Sequence, residues 1–222
     1  MVFLLPILAV FAGYLISLFV KPSTSTGFQL LLSFSGAFLL SVTVFELLPE
    51  VYRSEDPHVG IFIMLGLLVQ IFLEFLSKGV EHGHMHHSEE TAKFPLLLLG
   101  SLSLHSLLEG FPLTVNEDLL HGVVIHKIPV AAILSAFLIH SKIGKTKVLL
   151  FLAVFAAMTP IGSWIHSAFP ILDRYAAYIY AVVIGVFLHV STTILFEASK
   201  NHKFNAGKLF IIVLGIVLAY FM

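Results

Sequence analysis

The chain has 222 residues, of which 58% are hydrophobic and 11% charged, with a formal net charge of -1 and a mean hydropathy of +1.00. A soluble domain carries about 25% charged residues, so this chain cannot cover its surface with polar groups and reads as an all-α integral membrane protein in a lipid bilayer. The near-zero charge excludes a basic nucleic-acid surface, and the absence of cysteine excludes disulfides and thiolate metal sites.

Eight apolar runs follow in chain order, at about 2–20, 28–48, 59–77, 94–114, 118–140, 147–168, 173–196 and 206–222. Each is near the roughly 20 residues that a helix needs to cross a bilayer. The runs are continuous rather than alternating, which argues against a barrel. The first, MVFLLPILAVFAGYLISLFVK, has no basic leader and is too long for a signal core, so it is expected to stay as a helix. Short connections leave one membrane domain over residues 1–222, with a flexible histidine-rich loop at about 79–93.

Orientation follows from the basic residues. Loops after runs 1, 3, 5 and 7 carry Lys21, Lys78, Lys93, Lys142, Lys145, Lys147, Lys200, Lys203 and Lys208, whereas those after runs 2, 4 and 6 carry only Arg53 and Arg174. Both termini are therefore expected outside. The outer loops hold Glu50, Glu55, Asp56, Glu117, Asp118 and Asp173, an acidic face able to concentrate cations. The same residues also serve as ordinary solvated loop ends.

Charged groups near mid-bilayer cost about 2.5–3.5 kcal/mol each on insertion scales and usually face an interior or an ion path. Here they are Glu46, Glu74, Glu109 and Lys127, with His105, His126 and His189 as companions. Glu74 lies near the inner end of its run and can reach the interface. Runs 4 and 5 form an antiparallel hairpin turning at 115–118. His105 stands about nine residues before that turn and His126 about nine after it, so both lie about 13 Å deep. His105 and Glu109 are four apart and share a helix face. With suitable helix rotation, His105, Glu109 and His126 converge. His121, near the level of Glu109, is about 140° around the helix from His126 and belongs to the entrance, with Glu117 and Asp118.

Two prolines reinforce the pair. A helical proline removes a hydrogen bond and crowds the carbonyl four residues back, so Pro112 is expected to bare the carbonyl of Leu108, and Pro129 that of Ile125. Imidazole, carboxylate and carbonyl oxygen suit a borderline divalent cation such as Zn²⁺. The alternative is a polar contact that only holds helices together.

HSLLEG (105–110) followed by HKIP (126–129) resembles the fourth- and fifth-helix signatures of the ZIP (Zrt/Irt-like) divalent-metal transporters. FELLPE (45–50) is similar to the family's second-helix motif, with Glu46 in its histidine position, and TPIG (159–162) is similar to a sixth-helix segment. The loop EHGHMHHSEE (81–90) falls where the family has a variable cytoplasmic one. The resemblance implies eight helices and uptake of Zn²⁺, or of Fe²⁺ or Mn²⁺, toward the cytoplasm across a plasma or bacterial inner membrane. It implies a site between helices 4 and 5 made of His105, Glu109 and His126, with Glu46 as a lesser candidate, and a shift of the helix-4/5 unit during transport. The chain acts alone or as a homodimer. Lys127 stands where two-metal members hold a second-site carboxylate, so one ion at a time is expected, with Lys127 able to pair with Glu109. The motif usually continues to a glutamate, replaced here by Val130, which removes one negative ligand.

His82, His84, His86 and His87 in the loop can receive departing ions or report cytosolic metal, or belong to a plain polar linker. His189 either continues an exit path or is a core histidine. The HExxH pattern of zinc hydrolases is absent, so an enzyme is not expected. A membrane metalloenzyme and a non-transporting sensor or degenerate homologue stay as the alternatives.

Overall fold

A computed structural model describes residues 1–19, 26–77, 94–114, 117–141, 143–197 and 206–222, which are helical with no strand. In lipid no water is at hand for backbone N–H and C=O groups, so each apolar run satisfies its own backbone as a helix. The helices are α1 (Leu5–Phe19), α2 (Thr26–Val42), α3 (Leu48–Tyr52), α4 (Val59–Ser77), α5 (Leu96–Gly110), α6 (Glu117–His140), α7 (Lys145–Ala168), α8 (Ala176–Glu197) and α9 (Ala206–Tyr220). A π-helical turn, Thr43–Leu47, joins α2 to α3 without a break, and 3-10 turns follow α5 at Phe111–Thr114 and precede α8 at Pro170–Tyr175. Six of these segments are long and apolar enough to cross a membrane, while α1 and α9 are apolar but shorter, at 15 residues each.

The π turn has a local cause. Pro49 opens α3, and its ring would crowd the carbonyl of Phe45 in a regular helix. One widened turn relieves that contact. It also sets the rotation of FELLPE: Thr43 and Leu47 are buried, whereas Val44, Phe45 and Glu46 face outward. Glu46, a lesser ligand candidate in the sequence, is therefore exposed.

One of the two prolines departs from expectation. Pro112 lies in the 3-10 turn rather than inside α5, and the carbonyl of Leu108 accepts the N–H of Phe111. It is not bare. Pro129 sits inside an unbroken α6.

The helices group by packing: α1 lies along α6, α5 along α7, α4 along α8, and α2 along α9, α6 and α8. α5 and α6 scarcely approach each other backbone to backbone, so the expected hairpin is splayed. One apolar cluster, including Leu39, Leu47, Leu113, Leu119, Val123 and Ile184, fills the end near the 3-10 turns. A second, including Leu98, Leu102, Val130, Leu134, Phe151 and Phe155, fills the other end. Val130, at the missing-glutamate position, is thus part of an apolar core. Outward residues such as Ile61, Met64, Leu68, Phe72 and Phe75 on α4 are large and apolar, the surface that acyl chains solvate.

Candidate metal centre

Two glycines set the α5–α7 contact. A Cβ on Gly110 would lie 2.2 Å from the carbonyl oxygen of Thr159, and one on Gly162 would lie 2.1 Å from that of Leu107. Only hydrogen fits at either position, and the backbones close up. Ser163 Oγ then donates to the carbonyl of Gly110 at 2.8 Å. This contact places Thr159, at the head of TPIG, directly on Glu109.

Most helix hydroxyls here return to their own backbone, as Ser41 does to Ala37, Thr43 to Leu39 and Ser191 to Phe187, the usual local solution in an apolar helix. Ser106 and Thr159 instead reach across helices. Thr159 Oγ1 donates to Glu109 Oε1 at 2.6 Å, and Ser106 Oγ donates to the same oxygen at 3.2 Å while standing 3.0 Å from Thr159 Oγ1. The ammonium of Lys127 pairs with Glu109 Oε1 as well and donates to Ser106 Oγ at 2.7 Å. The ring of Phe155 lies 4.6 Å from Lys127 Nζ, a cation–π contact. Lys127 and Glu109 are each only 1% exposed. The lysine is anchored on three sides, and Glu109 Oε1 is saturated by donors from three residues.

Glu109 Oε2 faces elsewhere. His105 Nε2 lies 3.6 Å from it, as the four-residue spacing predicts. On the far side of the ring, His105 Nδ1 donates to Gln70 Oε1 of α4 at 3.0 Å. Gln70 is fully buried and was not singled out by the sequence, since a lone amide in an apolar run has no motif around it. With Nδ1 donating to the amide oxygen, Nε2 is the ring atom that faces the carboxylate. In the neutral ring that atom carries a lone pair, and a cation could then bridge it to Glu109 Oε2. For Zn–N and Zn–O bonds of about 2.0–2.2 Å at a tetrahedral angle, the two ligand atoms stand about 3.3 Å apart, close to the observed separation.

His126 is buried with its ring 6.4 Å from that of His105, edge to face. It stands beside the pair. Among the described residues no three His, Asp or Glu side chains converge tightly enough to hold a metal ion. The candidate site consists of the buried His105–Glu109 pair with His126 nearby.

One layer away, His189 Nε2 and Glu74 Oε2 are hydrogen-bonded at 2.5 Å, both partly buried. They meet because α4 and α8 cross closely at Gly66 and Gly185, where a Cβ would lie 2.0 Å and 2.1 Å from the facing carbonyl oxygens. Gln70 and Glu74 lie one and two turns beyond Gly66, and His189 one turn beyond Gly185. A polar file therefore leads from Glu109 through His105 and Gln70 toward Glu74 and His189. Of the expected entrance residues, Asp118 is half-buried and His121 exposed on α6. The side chain of Glu117 and loop residues His82, His84, His86 and His87 lie outside the described residues.

No family model matches the chain. It is 30% identical over 169 residues to protein zntD of Dictyostelium discoideum, covering 62% of this chain and 24% of that protein. It is 29% identical over 134 residues to zinc transporter ZIP1 of Danio rerio, covering 57% of this chain and 44% of that protein. The chain spans less than half the length of each relative.

Proposed function

We propose, from the ZIP resemblance of the motifs and the similarity to a ZIP zinc transporter, that this chain is a membrane carrier of divalent cations, Zn²⁺ foremost, and not an enzyme. The observation that carries the reading is the buried pair His105 Nε2 and Glu109 Oε2, 3.6 Å apart, with both outer partners already tied: Nδ1 to Gln70 and Oε1 to Lys127, Thr159 and Ser106. Those ties orient the two ligand atoms and leave them for the ion.

In this reading the acidic loops gather hydrated cations, with Asp118 and His121 at the mouth. The ion sheds water onto Glu109 and His105, and His126 closes as the third ligand. Lys127 holds Glu109 while the site is empty and yields part of that carboxylate to the ion. Because Lys127 occupies the second-site position, one cation is carried at a time. Release runs past Gln70 to Glu74 and His189 and on to the loop histidines at the basic, cytoplasmic side. Eight membrane-crossing helices with both termini outside complete the scheme.

Zn²⁺ flux into proteoliposomes holding the purified protein tests it. The expected result is flux in wild type and none in Glu109→Ala. The apolar Val130 and the Lys127–Glu109 pair favour one second reading, a sensor that binds without carrying. Tight Zn²⁺ binding with no flux in wild type establishes the sensor and removes the carrier.

A further inference from the structure

The metal centre makes no use of His166, a buried histidine on α7. His166 Nδ1 lies 3.1 Å from Thr114 Oγ1 in the 3-10 turn after α5. Its Nε2 lies 3.3 Å from the hydroxyl of Tyr180 on α8 and 3.7 Å from Asp173 Oδ1 just before α8. Phe111 packs edge-on against the ring. Two of these partners belong with the metal centre: Thr114 and Phe111 continue α5, which is locked to α7 by Gly110 and Gly162. Tyr180 belongs to α8, which packs with α4 and α2, and Asp173 to the 3-10 turn that leads from α7 into α8. His166 therefore spans the seam between the helices that carry Glu109 and the helices they pack against.

Its depth matters too. His166 lies seven residues beyond Thr159 on α7, about 10 Å along the axis, and Thr159 touches Glu109. The histidine thus stands between the metal centre and the acidic end of the bundle.

We propose that His166 is a latch at the outer mouth: its Nε2 contacts with Tyr180 and Asp173 hold α5 and α7 against α8 and close the way to Glu109 from that side. Thr114 orients the ring through Nδ1, and a cation enters when the Nε2 contacts part. His166 is a positioning residue and no ligand. The inference takes its site and its orientation from the carrier reading.

The chain has no cysteine, so Ser106→Cys supplies a single thiol inside the site. Its modification by a membrane-impermeant thiol reagent, applied from either side of sealed membranes, reports access. Tyr180→Phe removes one oxygen and keeps the ring, so it folds even where a substitution at 166 does not. Losing one hydrogen bond across the seam should raise the outer-side rate about fivefold. A glutamine amide mimics the Nε2 position and an asparagine amide the Nδ1 position. His166→Gln should therefore stay nearer wild type than His166→Asn, an asymmetry that a merely structural role does not produce. Ser167→Ala, which loses only a bond to Ser163 on the same helix, should leave the rate unchanged. Equal outer-side rates in all variants, including no reaction in any, overturn the latch, as does a rise of equal size from both sides. The thiol readout needs no flux: the access pattern without Zn²⁺ uptake removes the carrier and keeps the latch, and uptake without the pattern does the reverse.

Discussion

Lys127 and Glu109 form an ion pair with almost no exposure on either side, and removing one partner should be far worse than removing both. Breaking a buried pair from one side leaves an uncompensated charge at a cost of about 3–5 kcal/mol, whereas replacing both partners by groups of similar size is often nearly neutral. Lys127→Met keeps the stem packed against Phe155 and leaves Glu109 with only the hydroxyls of Thr159 and Ser106. Glu109→Gln leaves the ammonium with Ser106 and the Phe155 ring. Each single variant should lose about 3 kcal/mol or more, and the double variant about 1–2 kcal/mol, a coupling of about 4 kcal/mol. Reversible denaturant unfolding in micelles, followed by circular dichroism, measures all four corners of the cycle. Zn²⁺ supplies a second readout. In Lys127→Met the ion can replace the lost cation, so added Zn²⁺ should restore stability, by about 2.7 kcal/mol at a hundredfold excess over its Kd. It should restore none in Glu109→Gln. Additive losses, or equal rescue of both single variants by Zn²⁺, would refute the idea that Lys127 holds the place of the ion on Glu109.

Three further outcomes follow from contacts described above. Gln70→Leu should keep the fold but free the His105 ring, weakening Zn²⁺ binding by about 10–100-fold, the usual range for partners that orient a ligand; isothermal titration checks this. Gly110→Ala drives a methyl into the Thr159 carbonyl and should cost about 1–3 kcal/mol by overpacking, with Thr159 moved off Glu109 and Zn²⁺ affinity lowered alongside. In the loop before α4, Asp56 accepts the hydroxyl of Tyr178 and the backbone N–H of His58. These bonds, the Tyr178 hydroxyl first, hold its carboxyl below the ordinary value of 3.8. A depressed folded-state value means that the stabilisation is complete above that ordinary value and vanishes as pH falls through the depressed one. Unfolding of wild type should therefore steepen in that acid window, and Asp56→Asn should flatten it.

Apolar run length was enough to place the helices, because in lipid a continuous apolar segment has no other way to satisfy its backbone. The four-residue spacing was enough to put His105 beside Glu109, and the charge at 127 was enough to suggest its pairing. Rotation and register across helices were not legible. Helices that are apolar nearly all round carry little sign of which face turns inward, so Gln70, Glu74 and His189 could be named or missed but not joined. Gly66 and Gly185 decide their meeting, and nothing local says which glycines face each other. The exposure of Glu46 was hidden for a different reason: the π turn ahead of Pro49 adds a residue to one turn and rotates the motif outward. His166 sits in the last turn of α7 among Trp164, Ile165 and Ala168, where a lone histidine has no motif around it. Its partners come from the turn after α5 and from α8.

Under the proposed carrier reading, the lysine beside Glu109 also sets how transport would meet the membrane potential. With Glu109 and Lys127 paired, the empty site would carry no net charge, and its return across the bilayer would do no electrical work. Loading one Zn²⁺ onto neutral imidazoles and the same carboxylate adds two positive charges. Two charges crossing the full field of a 100 mV potential, negative inside, gain about 4.6 kcal/mol. Inward transport should thus be electrogenic, with a voltage-dependent loaded step and a voltage-indifferent reset.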